Sequence, residues 1–192
     1  MTPSISSQPT LTTPRLALRP FTLADCADVA RLAGDREIAA TTLLIPHPYE
    51  RHHAESWIAT HADAFAAGKL ANFAITLRTP DADTPSGTLV GAVGLVFKPE
   101  FNHAEMGYWV GKAYWGRGFC TEAAAEIVRW GLVDRKLNRI HAHHFDSNPA
   151  SGAIMRKIGM KYEGTLRRHI CKWGEYHDAL CYAILRDELD GR

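Results

Sequence analysis

The sequence predicts an α/β (α+β) fold, a sheet with helices on its faces. Three observations point to it. Short runs with strand-like apolar patterning occur near both ends and through the middle of the chain. Stretches with helical apolar spacing fall between them. The composition is that of a globular chain, 46% hydrophobic and 22% charged over 192 residues. That length suits one domain, and the expected division is a flexible N-terminal tail over 1–10 and a single domain over 11–192.

The elements follow in order. Arg15-Leu16-Ala17-Leu18-Arg19 sets apolar Leu16 and Leu18 among charged neighbours, as a half-buried strand does, and Pro20 stops it. Thr22 or Asp25 caps a helix across 24–33, which Gly34 closes. A second helix is expected from Tyr49 to Ala67, with Trp57, Ile58, Ala62 and Phe65 as its apolar stripe and Gly68 at its end. Phe73–Leu77 and Leu89–Phe97 read as an antiparallel hairpin around the turn-rich Thr79–Gly87 segment. Ala104–Val110 forms the next strand. Thr121–Val133 is a helix, because Ala124, Ile127, Val128 and Leu132 fall on one stripe while Glu122, Glu126 and Arg129 fall off it. Arg139–Phe145 is a strand, Asn148 opens a short helix to about Ile158, and Lys161–Leu185 supplies two more strands around the turn at Trp173-Gly174-Glu175.

Several function classes are disfavoured. Lysine and arginine number 22 against 21 acidic residues, a net charge of +1, so a nucleic-acid or anionic-membrane partner is not expected. No apolar run has the length of a membrane span. Cys26, Cys120, Cys171 and Cys181 are scattered without a C-x-x-C pair, which reads as reduced thiols in a cytoplasmic protein. Residues 1–14 have neither a basic n-region nor an apolar h-region, so no signal peptide is expected. The ten histidines lack ligand spacing, and no metal is expected. His52 and His53 are expected to point different ways on a helix, and His141 or His143 to reach a substrate cleft, with His144 on the opposite strand face.

The most informative unit is a strand, then Tyr114-Trp115-Gly116-Arg117-Gly118, then a helix. Glycines let a backbone approach a ligand closely, and the free amides of a helix start make an anion site. Arg117 can add a charged contact to phosphate. The Walker pattern is absent, and the third glycine of the dinucleotide fingerprint is replaced by Thr121. On its own the Gly-x-Gly is equally an ordinary strand-to-helix connection.

The context adds a resemblance. Thr13–Pro20, Ala104–Val110, Tyr114–Ala123, Asn148–Ser151, Lys157–Met160 and Glu163–Arg167 resemble, in order, the motifs of the GNAT acetyltransferases and of their RimJ/RimL-like group. They cover roughly residues 11–188. The family's basic residue at the head of the phosphate loop is replaced here by Ala113.

The resemblance implies the GNAT fold, a mixed, mostly antiparallel twisted sheet of about seven strands flanked by helices. It implies acetyl-CoA as co-substrate and a primary amine as acceptor. That acceptor is a protein N-terminal α-amino group; the alternatives are a small-molecule amine (polyamine, amino acid or aminoglycoside-like) and a non-catalytic CoA-binding module. The implied cofactor-binding residues are Trp109, Val110, Trp115, Gly116, Arg117, Gly118, Phe119, Cys120, Thr121, Asn148 and Ser151. The implied catalytic residues are Glu105, Ser151 and Tyr108.

The chemistry defines their roles. A neutral amine must attack a thioester carbonyl, whose oxygen needs a fixed donor; a backbone N–H at Tyr108–Val110 is placed for it, with a bulge expected at Gly107. Glu105 is the candidate base. Ser151 is the candidate acid for the leaving thiolate, with Tyr108 and Tyr162 as substitutes, while Asn148 also reads as a plain helix cap. Arg156 and Lys157 are candidates for the adenosine 3′-phosphate. Trp173, an aromatic in a polar turn, is a candidate for the acceptor site or a homodimer contact.

Overall fold

The computed structural model describes residues 7–82 and 84–189. Residues 1–6 of the expected tail, and Asp83 of the turn-rich loop, lie outside them. The elements are β1 (Leu11–Thr12), β2 (Leu16–Pro20), α1 (Cys26–Ala33), α2 (Arg36–Ala40), α3 (Arg51–Ala59), α4 (His61–Ala66), β3 (Leu70–Leu77), β4 (Leu89–Lys98), β5 (His103–Val110), α5 (Phe119–Arg129), β6 (Arg139–Phe145), α6 (Pro149–Lys157), β7 (Lys161–Lys172), β8 (Glu175–Leu185) and α7 (Arg186–Leu189). The 8 strands form one mixed sheet in the order β1-β2-β3-β4-β5-β6-β8-β7. The strand beyond the expected seven is β1, whose 2 residues are too few to display a period.

Neighbouring strands are antiparallel except β5 and β6. A parallel pair needs a crossover, and α5 supplies it. Helices then cover both faces. On one, Phe119, Ala124, Ile127 and Val128 of α5 pack with Met155 of α6 against Val93, Leu95 and Met106. On the other, Val29 and Leu32 of α1 pack with Ala54 and Ile58 of α3 against Ala74 and Leu89. β4 runs through the middle, buried over Leu89–Leu95.

Two expected helices are interrupted. The Tyr49–Ala67 helix breaks at Thr60, whose hydroxyl donates back to the Trp57 carbonyl (2.8 Å) and diverts the backbone ladder. The helix ending at Val133 stops its regular turns at Arg129 and continues as a wider π turn over Trp130–Asp134. That turn seats Gly131 against Ile140, where a Cβ would come within 2.6 Å of the isoleucine side chain. His52 and His53 do not point apart, since their ring centroids lie 3.9 Å from each other.

Candidate active site

β5 and β6 pair only at their starts. His103, Ala104 and Glu105 face Arg139, Ile140 and His141. Beyond that point each strand keeps its other partner: β5 stays on β4 as far as Val110, and β6 stays on β8 as far as Phe145. The two strands therefore splay, and the sheet opens between them. The pairing of β5 with β4 is unbroken from His103 to Val110, so the bulge expected at Gly107 does not form. The opening comes from the departure of β6, not from an extra residue in β5.

Side chains alternate along an unbulged strand, so Glu105 and Tyr108 emerge on opposite faces. Tyr108 packs on the α5–α6 side. Trp109 packs on the α1–α3 side with Leu32, Tyr49 and Tyr114. Glu105 shares the Trp109 face.

On the α5–α6 face, the Tyr108 hydroxyl lies 2.9 Å from Ser151 Oγ and donates to the Ser151 carbonyl at 3.1 Å. Ser151 is held by the start of α6, where Asn148 caps the helix by accepting the Ser151 amide (3.3 Å) and Pro149 fits the first turn. The cap reading of Asn148 is thus realised. Burial raises the Tyr108 phenol well above its ordinary range, so it is a neutral donor. Tyr162 is elsewhere, its hydroxyl on Thr165 (2.6 Å), and Arg156 donates to the Tyr182 hydroxyl (3.0 Å).

On the α1–α3 face, Glu105 Oε1 lies 3.1 Å from His143 Nδ1. The pair moves both groups: the imidazole holds the carboxyl below its ordinary value, and the carboxylate raises the imidazole above 6.5. His141 moves the other way, because burial disfavours its charge.

Below the opening comes the glycine loop. Trp115 folds its indole N–H onto the Val110 carbonyl (2.6 Å), tying the loop to the end of β5. Gly116 and Gly118 have φ of +75° and +80°, values that an L side chain rarely adopts. A Cβ at Gly116 would meet no heavy atom within 4 Å. Gly118 is the N-cap of α5, and no side chain caps that helix. Its first-turn amides at Phe119, Cys120 and Thr121 therefore have no intrahelical acceptor, which suits an anion.

Two loop side chains have partners within the protein. The Arg117 guanidinium donates to Asp81 (3.1 Å) in a partly exposed pair. Phe119 is buried in the core under the Arg15 guanidinium, 4.8 Å from its ring centroid, so only its backbone reaches the loop. Burial pushes the Cys120 thiol up to about 12, which keeps it protonated.

A bracing group appears that the sequence did not single out. Glu122 accepts from Thr13 Oγ1 (2.5 Å), the Arg15 amide (2.9 Å) and Arg15 Nε (2.7 Å). Arg15 Nη1 then donates to the Arg117 carbonyl (2.9 Å). The chain start thereby props the glycine loop from behind. Among the described residues, no group of three or more His, Cys, Asp or Glu is placed to hold a metal ion, and no helix is long and apolar enough to cross a membrane.

A strand that loses its neighbour halfway thus leads into a glycine loop whose helix start has no side-chain cap. Residues 15–161 match the family model of the acetyltransferase (GNAT) domain. The chain belongs to the GNAT family. It is an N-acetyltransferase with RimJ/RimL-like relatives. The acetyltransferase is 27% identical over 183 residues, 95% of this chain and 99% of the relative, to the uncharacterized N-acetyltransferase p20 of Bacillus licheniformis. It superposes on Mycobacterium smegmatis RimJ in complex with a CoA disulfide with a TM-score of 0.79, at 25% identity over 91% of this chain and 83% of that one. With RimL, the ribosomal L7/L12 α-N-protein acetyltransferase in complex with coenzyme A, the TM-score is 0.83 over 94% and 99% of the two chains, at 16% identity.

Proposed function

We propose that this acetyltransferase moves an acetyl group from acetyl-CoA to a protein N-terminal α-amino group. The observation that carries the reading is the opening between β5 and β6, with Tyr108–Ser151 on one face and Glu105–His143 on the other. The co-substrate brings an activated acetyl thioester. The residues present fit it. The loop amides from Gly116 to Thr121 hold its diphosphate, and Gly116 leaves the space for close approach. The freed edge of β5 at Tyr108–Val110 offers backbone groups to the pantetheine arm and a donor to the carbonyl oxygen. Ser151, backed by Tyr108, gives the sulfur its proton. The amine approaches from the α1–α3 face, and its positive charge is met by Glu105.

The α-amine preference is supported by the likeness to RimJ and RimL and by acid–base matching. An α-amino group has a pKa of about 7.7–8.0 against about 10.4 for lysine, so it needs only a mild base at neutral pH. Acetyl-CoA at about 100 times its dissociation constant adds about 2.7 kcal/mol of stability, a Tm rise of about 5–11 °C for a chain of this size. Thiol release with an N-terminal alanine hexapeptide, spermidine and free lysine then sorts the acceptor class. Turnover of the peptide above both small amines is expected. Spermidine turned over best would overturn the N-terminal reading, and no stabilisation by acetyl-CoA would overturn the acetyl-CoA assignment.

A further inference from the structure

We propose that His143 is the catalytic base of the transfer and that Glu105 is its positioning residue. The inference rests on the acetyl-transfer reading and goes further by reassigning the proton from the carboxylate to the ring. The argument begins with which atoms are engaged. Glu105 Oε1 is against Nδ1 of His143, which leaves Nε2 as the ring atom turned away from the carboxylate. Among the described residues, the buried ring nitrogens without a partner are those of His61, His103 and His144, and His143 Nε2 is not one of them. The ring is half-buried at the mouth of the opening, two positions beyond His141, the last residue of β6 that pairs with β5.

A carboxylate on one imidazole nitrogen selects the tautomer with the proton on Nδ1 and aims the lone pair of Nε2 outward. The same contact explains why Glu105 is the poorer base: held below the ordinary carboxylate range, it gives up its negative charge reluctantly. His143, raised from 6.5, sits nearer the α-amino range. The other ionisable groups around it are His141 on its own strand, Cys181 opposite it on β8, and Lys98 on β4, which acts on Glu105.

The step balances. The ammonium proton passes to His143 Nε2. The freed nitrogen lone pair forms the C–N bond while the C–S bond breaks. Sulfur keeps that electron pair and takes a proton from Ser151, Ser151 is reprotonated by the remaining extra proton of the amide nitrogen relayed through solvent, and His143 returns its proton to solvent. Nothing is oxidised or reduced.

The test uses the full chain. With the best acceptor among the alanine hexapeptide, spermidine and lysine, His143→Gln lowers kcat about 100-fold or more. It also removes the acid limb of the kcat/KM pH profile, while the Tm rise given by CoA is unchanged. Glu105→Gln keeps the limb but moves it to lower pH, with a smaller loss of rate. Long-range ¹H–¹⁵N spectra of the free enzyme, which need no acceptor, show neutral His143 protonated on Nδ1 in the parent and titrating at lower pH in Glu105→Gln. An active His143→Gln enzyme with its acid limb intact, or a ring protonated on Nε2, overturns the proposal. A parent chain inactive on every amine overturns the acetyl-transfer reading, and the ring spectra then judge the pairing by themselves.

Discussion

Glu122 gives the sharpest test of how the chain start supports the loop. Glu122→Ala removes acceptors for Thr13 Oγ1, the Arg15 amide and Arg15 Nε. Hydrogen bonds to a charged group contribute about 1.5–3 kcal/mol each when fully counted, but here the count must be discounted. The Arg15 side chain is 41% exposed and regains water. The buried Thr13 hydroxyl keeps a second bond to the Leu16 carbonyl (3.3 Å). What remains is chiefly the Arg15 amide and the packing of the pair, a loss of about 2–3 kcal/mol, or about 4–12 °C in Tm. Urea and thermal unfolding measure it. Because Arg15 also holds the Arg117 carbonyl, KM for acetyl-CoA should rise several-fold. There is a pH signature too. Burial opposes the Glu122 charge, but the bonds from Thr13 and Arg15 outweigh it and hold the carboxyl below 4.5. Its contribution is therefore complete above 4.5 and is lost as pH falls through the lower folded value. Glu122→Gln should flatten that acid loss. An alanine variant melting within about 1 °C of the parent would refute the brace.

Other outcomes follow from the same geometry. Gly116→Ala places a Cβ in open space but at a φ of +75°, so it should cost about 1–2 kcal/mol of stability and raise KM for acetyl-CoA by tenfold or more; an unchanged KM would show that nothing approaches the loop there. Tyr108→Phe should lower kcat about tenfold without altering CoA binding in a thermal-shift titration, and the alkaline limb of the pH profile should stay, since the buried phenol does not ionise in that range. Burial holds His61 neutral down to about 4, against 6.5 in the unfolded chain. The unfolded state therefore binds the extra proton first, and stability falls as pH drops from 6.5 to about 4, by at most about 3 kcal/mol. A His61→Leu variant whose urea midpoint falls as steeply over that range would overturn this account.

Local pattern made much of this legible. The α5 stripe, the Gly-x-Gly loop and the Asn148-Pro149 helix start are short-range signals, and all three lie where expected. Strand order is partly legible because hairpins leave turn residues behind. The rest depends on contacts between distant segments. β1 has 2 residues and no period of its own. Glu122 falls off the apolar stripe of its helix, and only the fold brings Thr13 and Arg15 onto it. Glycine at 107 suggested a bulge, yet the sheet opens because β6 leaves, which no feature of β5 records. Glu105 and His143 stood out separately, but their pairing, and hence the division of labour between them, appears only once β5 and β6 lie side by side.

The unbulged run of β5 has a kinetic consequence. Under the proposed chemistry it acts as a partition with a doorway on each side, one for the nucleotide-borne thioester and one for the amine. Two doorways let both reactants be resident together, so no acyl-enzyme need be stored between them. Initial-rate plots against both concentrations should intersect, not run parallel.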